Sequence, residues 1–279
     1  MSAILDPGEP LLSSRDRHPE DHVIRLAGGI EIGGKDVVLM AGPCAIEDID
    51  QLILAAEAVR AGGARILRGG AYKPRTSPYS FQGLGRRGLL MLRTIADRFG
   101  MAFVTEVISP EDVPLVADYA DMLQIGARNM ANYRLLEEAG RSGRPVLLKR
   151  GLGSTIDELL LAAEYVLAEG NRDVALCERG IRTFETATRF TLDIGAVPIL
   201  KQRSPLPVVL DPSHAAGASE LVGPMARAGI AAGADALLIE VHPNPSEAMC
   251  DGAQSLDPAQ FARMAGDVAR IAAAVDRGI

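Results

Sequence analysis

A chain of 279 residues, 48% hydrophobic with mean hydropathy +0.12, can bury a sizeable core and has the ordinary length of a single α/β barrel. Its net charge of −7 and pI near 5.2 exclude general attraction to nucleic acid or to anionic membranes. No run reaches the roughly 18 apolar residues of a membrane span, no basic start precedes an apolar stretch, and Cys44, Cys177 and Cys250 are too scattered for a disulfide framework, so a cytoplasmic protein is expected.

Residues 1–22 are Pro-, Ser- and charge-rich and read as a flexible tail, leaving 23–279 as one domain. VIRLAGGIEIGG (23–34) reads as a short hairpin around Gly28 and Gly29. Eight apolar runs then follow: VVLMAGPC (37–44), ARILRGG (64–70), MAFVTEV (101–107), DMLQIGA (121–127), RPVLLKRG (144–151), DVALCERG (173–180), PVVLDPSH (207–214) and DALLIEVH (235–242). Each is followed by a stretch of helical period; the sixth of these is FETATRFTLDIG (184–195). Runs without period-2 polarity imply strands covered on both faces, as in a parallel sheet beneath helices. Eight such units predict a (β/α)8 TIM barrel with a short N-terminal β-hairpin, and a doubly wound open sheet is the second reading.

In a barrel of this kind the site lies at the C-terminal ends of the strands. Those ends carry Cys44, Arg68, Glu106, Arg128, Lys149, Glu178, Asp211 with His214, and Glu240 with His242. Two populations separate. Arg68, Lys73, Arg75, Arg128, Lys149 and Arg179 are cationic, and their mutual repulsion at one mouth would be costly without anions. They suit two phosphates, or a phosphate plus a carboxylate. Cys44, His214, Glu240 and Asp251 offer a thiolate, an imidazole and two carboxylates, a set suited to Mn, Fe, Co or Zn. Glu106 could hold a water, act as a base or pair with a neighbouring cation. The loop GGAYKPRTSPYSFQG (69–83) packs cations, prolines and hydroxyls together where no regular helix can form.

GPC at 42–44, KPRTSPYSFQG at 73–83, QIGARNM at 124–130, LLKRG at 147–151, ERG at 178–180, DPSH at 211–214 and IEVHPNPSEAMCDGAQSL at 239–256 resemble the 3-deoxy-D-arabino-heptulosonate 7-phosphate (DAHP) synthases. The likeness is to the compact type related to the 3-deoxy-octulosonate 8-phosphate (KDO8P) synthases, and it covers the chain from about residue 23 onward. It implies a barrel that condenses phosphoenolpyruvate with erythrose 4-phosphate at one divalent metal ion, the opening step of the shikimate pathway. By the same resemblance Cys44, His214, Glu240 and Asp251 are the metal ligands, and Arg128, Lys149 and Arg179 hold the phosphoenolpyruvate phosphate. Arg68 and Lys73 surround its carboxylate; Arg75, Thr76 and Ser77 receive erythrose 4-phosphate. Lys73, Glu106 and Lys149 are the catalytic set, with Glu106 beside an active-site water. KPRTS, where octulosonate synthases typically read KANR-S, favours the four-carbon aldose phosphate over arabinose 5-phosphate. Cys44 stands where metal-independent octulosonate synthases commonly carry Asn. The alternatives are a relative using another aldose phosphate and a non-catalytic anion-sensing barrel. A homo-oligomer, dimer or tetramer, is expected, with a chorismate mutase as the partner that could supply control in trans.

Overall fold

Gly28 and Gly29, at φ of 74° and 69°, turn the chain between β1 (Ile24–Leu26) and β2 (Ile30–Ile32), which pair antiparallel with Ile24 opposite Ile32. The computed structural model describes residues 11–74, 77 and 79–279. Beyond the hairpin, parallel strands and helices alternate. They are β3 (Val38–Gly42), α1 (Ile49–Ala61), β4 (Ile66–Arg68), α2 (Arg86–Phe99), β5 (Ala102–Val107), α3 (Val113–Tyr119), β6 (Met122–Ile125) and α4 (Tyr133–Arg141). There follow β7 (Val146–Lys149), α5 (Ile156–Leu167), β8 (Val174–Glu178), α6 (Ala196–Arg203), β9 (Val208–Leu210), α7 (Pro212–Ala216), α8 (Ser219–Ala231), β10 (Ala236–Glu240) and α9 (Pro258–Ala274). β3 through β10 close into one barrel, with β10 pairing both β9 and β3.

Alternation along each strand explains the unbroken apolar runs. Met40, Ile66, Val104, Met122, Leu147, Val209 and Leu238 fill the barrel interior, and Ile24, Ile30 and Ile32 of the hairpin pack into the same cluster. Leu39, Leu67, Phe103, Leu123, Leu148 and Leu237 face the other way, into the layer beneath the helices. The hairpin thus stops the N-terminal mouth with three isoleucines. Polar groups are left the opposite mouth.

Two expectations are corrected. The stretch 184–195 is not a helix; the sixth helix is α6, which begins at Ala196. Hydroxyl and carboxylate side chains take the local bonds a helix would need: Thr183 and Thr191 hydroxyls meet at 2.6 Å, and Glu185 Oε1 accepts from the Thr186 and Ala187 N–H groups. Residues 11–22 are also not a loose tail. The Leu12 and Ser13 N–H groups donate to the Glu164 carboxylate at 3.0 and 2.6 Å, the His22 N–H donates to Pro205 O, and the His22 ring pairs with Asp173 at 2.8 Å. Among the described residues no helix is long and apolar enough to cross a membrane.

Candidate active site

Arg68, Lys149, Glu178 and Glu240 are the last residues of their strands, and Glu106 is the penultimate residue of β5. Cys44 follows β3 by two residues; His214 lies within α7, and Arg128 in a single 3-10 turn after β6. Lys73, Glu106, Arg128, Arg179, His214 and Asp251 border one cavity of about 290 Å3, with Ser77 on its rim. Below it a narrow recess carries Cys44, Arg68, Thr105 and Gln124. Arg75 and Thr76 lie outside the described residues.

The thiol of Cys44 and the carboxylates of Glu240 and Asp251 bring their ligand atoms within 4.8 Å of one another. Cys44 Sγ donates to Asp251 Oδ2 at 3.1 Å. His214 approaches this group through Glu240, with Nε2 3.4 Å from Oε1. Its Nδ1 lies 2.8 Å from Asp211 Oδ2, yet is buried without an aligned hydrogen-bond partner. Burial pulls the imidazole pKa down, against the opposing pull of Asp211, which favours the neutral form that can ligate. Burial would raise the Glu240 carboxyl, but His214, Arg68 and Lys73 draw it down to about 2. The Cys250 thiol, then burial and Glu240, push the Cys44 thiol up, while Lys73 and Arg68 oppose them. A thiol, an imidazole with an orphaned ring nitrogen, and two carboxylates, one buried and one partly exposed, fit a borderline divalent ion.

The cations divide by partner. Arg68 Nη1 donates to Glu240 Oε1 at 2.9 Å and to Pro43 O at 3.0 Å. Lys149 Nζ donates to Asp211 Oδ2 at 2.7 Å, with both groups buried. Lys73 Nζ reaches Cys44 Sγ and Cys44 O, each at 3.1 Å; burial works against its charge, and Cys44 and Glu106 more than restore it. Among the described residues Arg128 and Arg179 make no ion pair. Arg179 is 5% exposed and lies 4.3 Å above the Phe190 ring. Buried acids therefore relieve part of the repulsion expected from the sequence. Arg128 is exposed at the cavity, and the buried Arg179 guanidinium, without an acid partner among the described residues, carries the demand for an anion.

Several contributors escaped the sequence reading. Asp211 was a strand end without a role; it accepts from Lys149 and caps α7 through the His214 N–H at 3.0 Å, joining the two populations. Arg189 and Phe190 line the cavity from the loop misread as a helix. The threonines at 183, 186, 188 and 191 were the available signal for a loop there. Gln254, inside the quoted DGAQSL, donates to Glu240 Oε2 at 2.5 Å. Glu178 faces away from the cavity chemistry: it is bound by Arg150 Nη1 at 2.8 Å and by the Gly180 N–H at 2.6 Å. His242 supports its loop, as its Nδ1 accepts from the Asn244 N–H at 3.1 Å.

Comparison with known proteins agrees with this geometry. Residues 19–275 match the family model of the DAHP synthetase I family. A phospho-2-dehydro-3-deoxyheptonate aldolase of Thermotoga maritima is 53% identical over 264 residues, spanning 95% of this chain and 78% of the relative. A 2-dehydro-3-deoxyphosphooctonate aldolase of Nitratidesulfovibrio vulgaris is 35% identical, over 78% of this chain and 85% of that protein. The crystal structure of the Thermotoga DAHP synthase superposes with a TM-score of 0.94 at 51% identity, covering 97% of this chain and 79% of that one. A truncated form of the Thermotoga enzyme gives 0.90 at 48% identity, over 96% and 98%. The higher identity lies on the heptulosonate side, so the octulosonate alternative is disfavoured, and the chain belongs to the DAHP synthetase I family, the DAHP synthases.

Proposed function

We propose that the cavity condenses phosphoenolpyruvate with erythrose 4-phosphate, the DAHP synthase reaction, using the residues placed around it. The observation that carries this reading is that Arg128 and Arg179, which make no ion pair among the described residues, share one cavity with Asp251 of the Cys–Glu–Asp cluster. Arg128, Arg179 and Lys149 hold the phosphate of phosphoenolpyruvate, and Arg68 and Lys73 hold its carboxylate. Arg75, Thr76 and Ser77 receive the aldose phosphate.

Cys44, His214, Glu240 and Asp251 would hold one divalent ion, Mn, Fe, Co or Zn, which when bound supplies Lewis-acid polarisation of the aldehyde. The chain's own groups govern the rest. The double-bond electron pair of phosphoenolpyruvate bonds its carbon 3 to the aldehyde carbon and leaves carbon 2 electron-poor. The aldehyde oxygen takes up a proton, matched by the one that the attacking water releases. Water adds at carbon 2 and yields its proton to Glu106, which Gln124 Nε2 steadies at 3.4 Å. The hemiketal phosphate then breaks its carbon–oxygen bond. Inorganic phosphate leaves with the electron pair and takes up the proton that the carbon 2 hydroxyl gives up as the 2-oxo acid forms. Lys149 stands beside Asp211, so it can serve the departing phosphate while its own charge stays balanced. Lys73 steadies the carboxylate end.

Product identification tests the proposal. Purified protein with Mn2+, phosphoenolpyruvate and either erythrose 4-phosphate or arabinose 5-phosphate should give the seven-carbon 2-oxo acid phosphate and little of the eight-carbon one. Preferential formation of the eight-carbon product would assign the rim to the longer sugar. Formation of neither, by folded and metal-loaded protein, would favour the non-catalytic reading.

A further inference from the structure

Arg189 has no role in the reaction above, yet its Nη1 touches two groups that frame the Cys44–Glu240–Asp251 cluster. It donates to Asp251 Oδ1 at 3.2 Å and to Gln254 Oε1 at 2.7 Å. The amide of Gln254 is thereby set: its carbonyl accepts from Arg189 and its Nε2 donates to Glu240 Oε2. Asp251 divides its oxygens in the same way, Oδ1 toward Arg189 and Oδ2 toward the Cys44 thiol. One guanidinium nitrogen therefore orients both carboxylates of the cluster, the first directly and the second through one amide.

The position of Arg189 is itself fixed. Its N–H donates to Ala216 O at 3.2 Å, and that of Phe190 donates to Ala215 O at 2.9 Å, so the loop is bonded to α7, the helix bearing His214. Gly217 follows at φ 72°, and a Cβ there would stand 2.5 Å from Arg189 Cβ. Asp251 is held at φ 51°, a left-handed conformation uncommon for a residue with a side chain. Aspartate tolerates this conformation better than most residues, and two contacts hold it there: Arg189 on the side chain and the Ser255 hydroxyl, 3.0 Å from Asp251 O. An exposed Arg–Asp pair would contribute little by itself. Here the network continues to Gln254 and Glu240, which are 2% and 1% exposed, where a lost partner is costly.

We propose that Arg189 and Gln254 are positioning residues for the divalent ion: they hold Asp251 and Glu240 with one oxygen of each turned toward the cluster. The proposal rests on the metal reading given above. Outer partners of this kind typically change metal affinity by about 10- to 100-fold. Lysine replaces this donor only in part: both bonds come from Nη1, and the lysine nitrogen ends nearer the backbone than that atom.

The test measures Mn2+ affinity of the full chain by competition with a fluorescent chelator, and phosphoenolpyruvate binding to metal-stripped protein by calorimetry. Arg189→Met and Gln254→Met should each weaken Mn2+ binding by roughly 10- to 100-fold. The double variant should be little worse than the weaker single, since both act through one chain of bonds. Phosphoenolpyruvate affinity of the stripped protein should stay within about twofold. Arg189→Lys should fall between wild type and Arg189→Met; should either methionine variant fail to fold, Arg189→Lys and the remaining variant carry the test. Wild-type Mn2+ affinity in folded variants would overturn the proposal. So would weakened phosphoenolpyruvate binding with Mn2+ affinity intact, which would make Arg189 a substrate contact. Failure of the metal reading is distinct: Cys44→Ala would then bind Mn2+ as tightly as wild type.

Discussion

Gly126 offers a sharp test of Glu106, because a single methyl group there should displace one carboxylate and little else. Gly126 follows β6 with φ −66° and ψ 155°, a conformation open to alanine, so Gly126→Ala creates no backbone strain. A Cβ at that position would stand 2.1 Å from Glu106 Oε1 and 3.1 Å from Cδ. To restore ordinary contact the carboxylate oxygen must retreat by about 1.5 Å, which its flexible side chain can do. Stability should therefore change by less than about 1 kcal/mol, helped by the lower entropy of the unfolded alanine chain. A misplacement of about 1 Å can cost a catalytic group roughly 100-fold, or about 2.7 kcal/mol of transition-state stabilisation. The expected result is a fall in kcat of that order, with the melting temperature and the KM for phosphoenolpyruvate nearly unchanged. The same substitution in a Glu106→Ala background should be almost silent, since the displaced group is gone. A Gly126→Ala enzyme within twofold of the wild-type rate would refute the reasoning, as would an equal loss in both backgrounds.

Other outcomes follow from the same geometry. Phe190→Ala removes the ring 4.3 Å from the Arg179 guanidinium, a contact worth about 0.5–2 kcal/mol, so the KM for phosphoenolpyruvate should rise roughly 2- to 30-fold in steady-state assays. Arg75→Ala should raise the KM for erythrose 4-phosphate by roughly 10- to 150-fold and affect phosphoenolpyruvate far less; equal effects would mean that the loop is misassigned. Cys44→Ala should lose metal by elemental analysis while keeping its circular dichroism, because the barrel core does not depend on that thiol. For metal-free protein, the Glu240 carboxyl at about 2 instead of 4.5 contributes stability that is full above pH 4.5 and lost as pH falls toward 2. This amounts to roughly 3 kcal/mol, so Glu240→Gln should flatten the acid limb of denaturant-measured stability by about that much.

What the sequence made legible were features with a local period or a shared direction. Met40 inward and Leu39 outward are both apolar because a parallel barrel buries both faces, so the runs had no polar alternation and announced their class. Arg68, Lys149, Glu178 and Glu240 end their strands, and the common direction of the strands gathered them at one mouth. Direction did not tell which way each side chain turns: Glu178 is bound into the loop by Arg150, whereas Glu240 faces the cluster. The stretch 184–195 was misread because its apolar residues fall at near-helical spacing, yet Phe184 is 98% exposed and the threonines bond locally. Losing that loop also hid Arg189. Likewise the composition of residues 11–22 suggested looseness, and no local rule could reveal that Glu164, about 150 positions away, accepts two of their N–H groups.

The central claim is that the cationic and metal-capable populations act on one reaction in one cavity. Release of inorganic phosphate from phosphoenolpyruvate, followed with erythrose 4-phosphate before chelation, after chelation and after readdition of Mn2+, tests it most directly. The account predicts release that depends on the aldose phosphate, vanishes from the chelated protein and returns with the ion. Full turnover by protein shown by elemental analysis to hold no metal would contradict it.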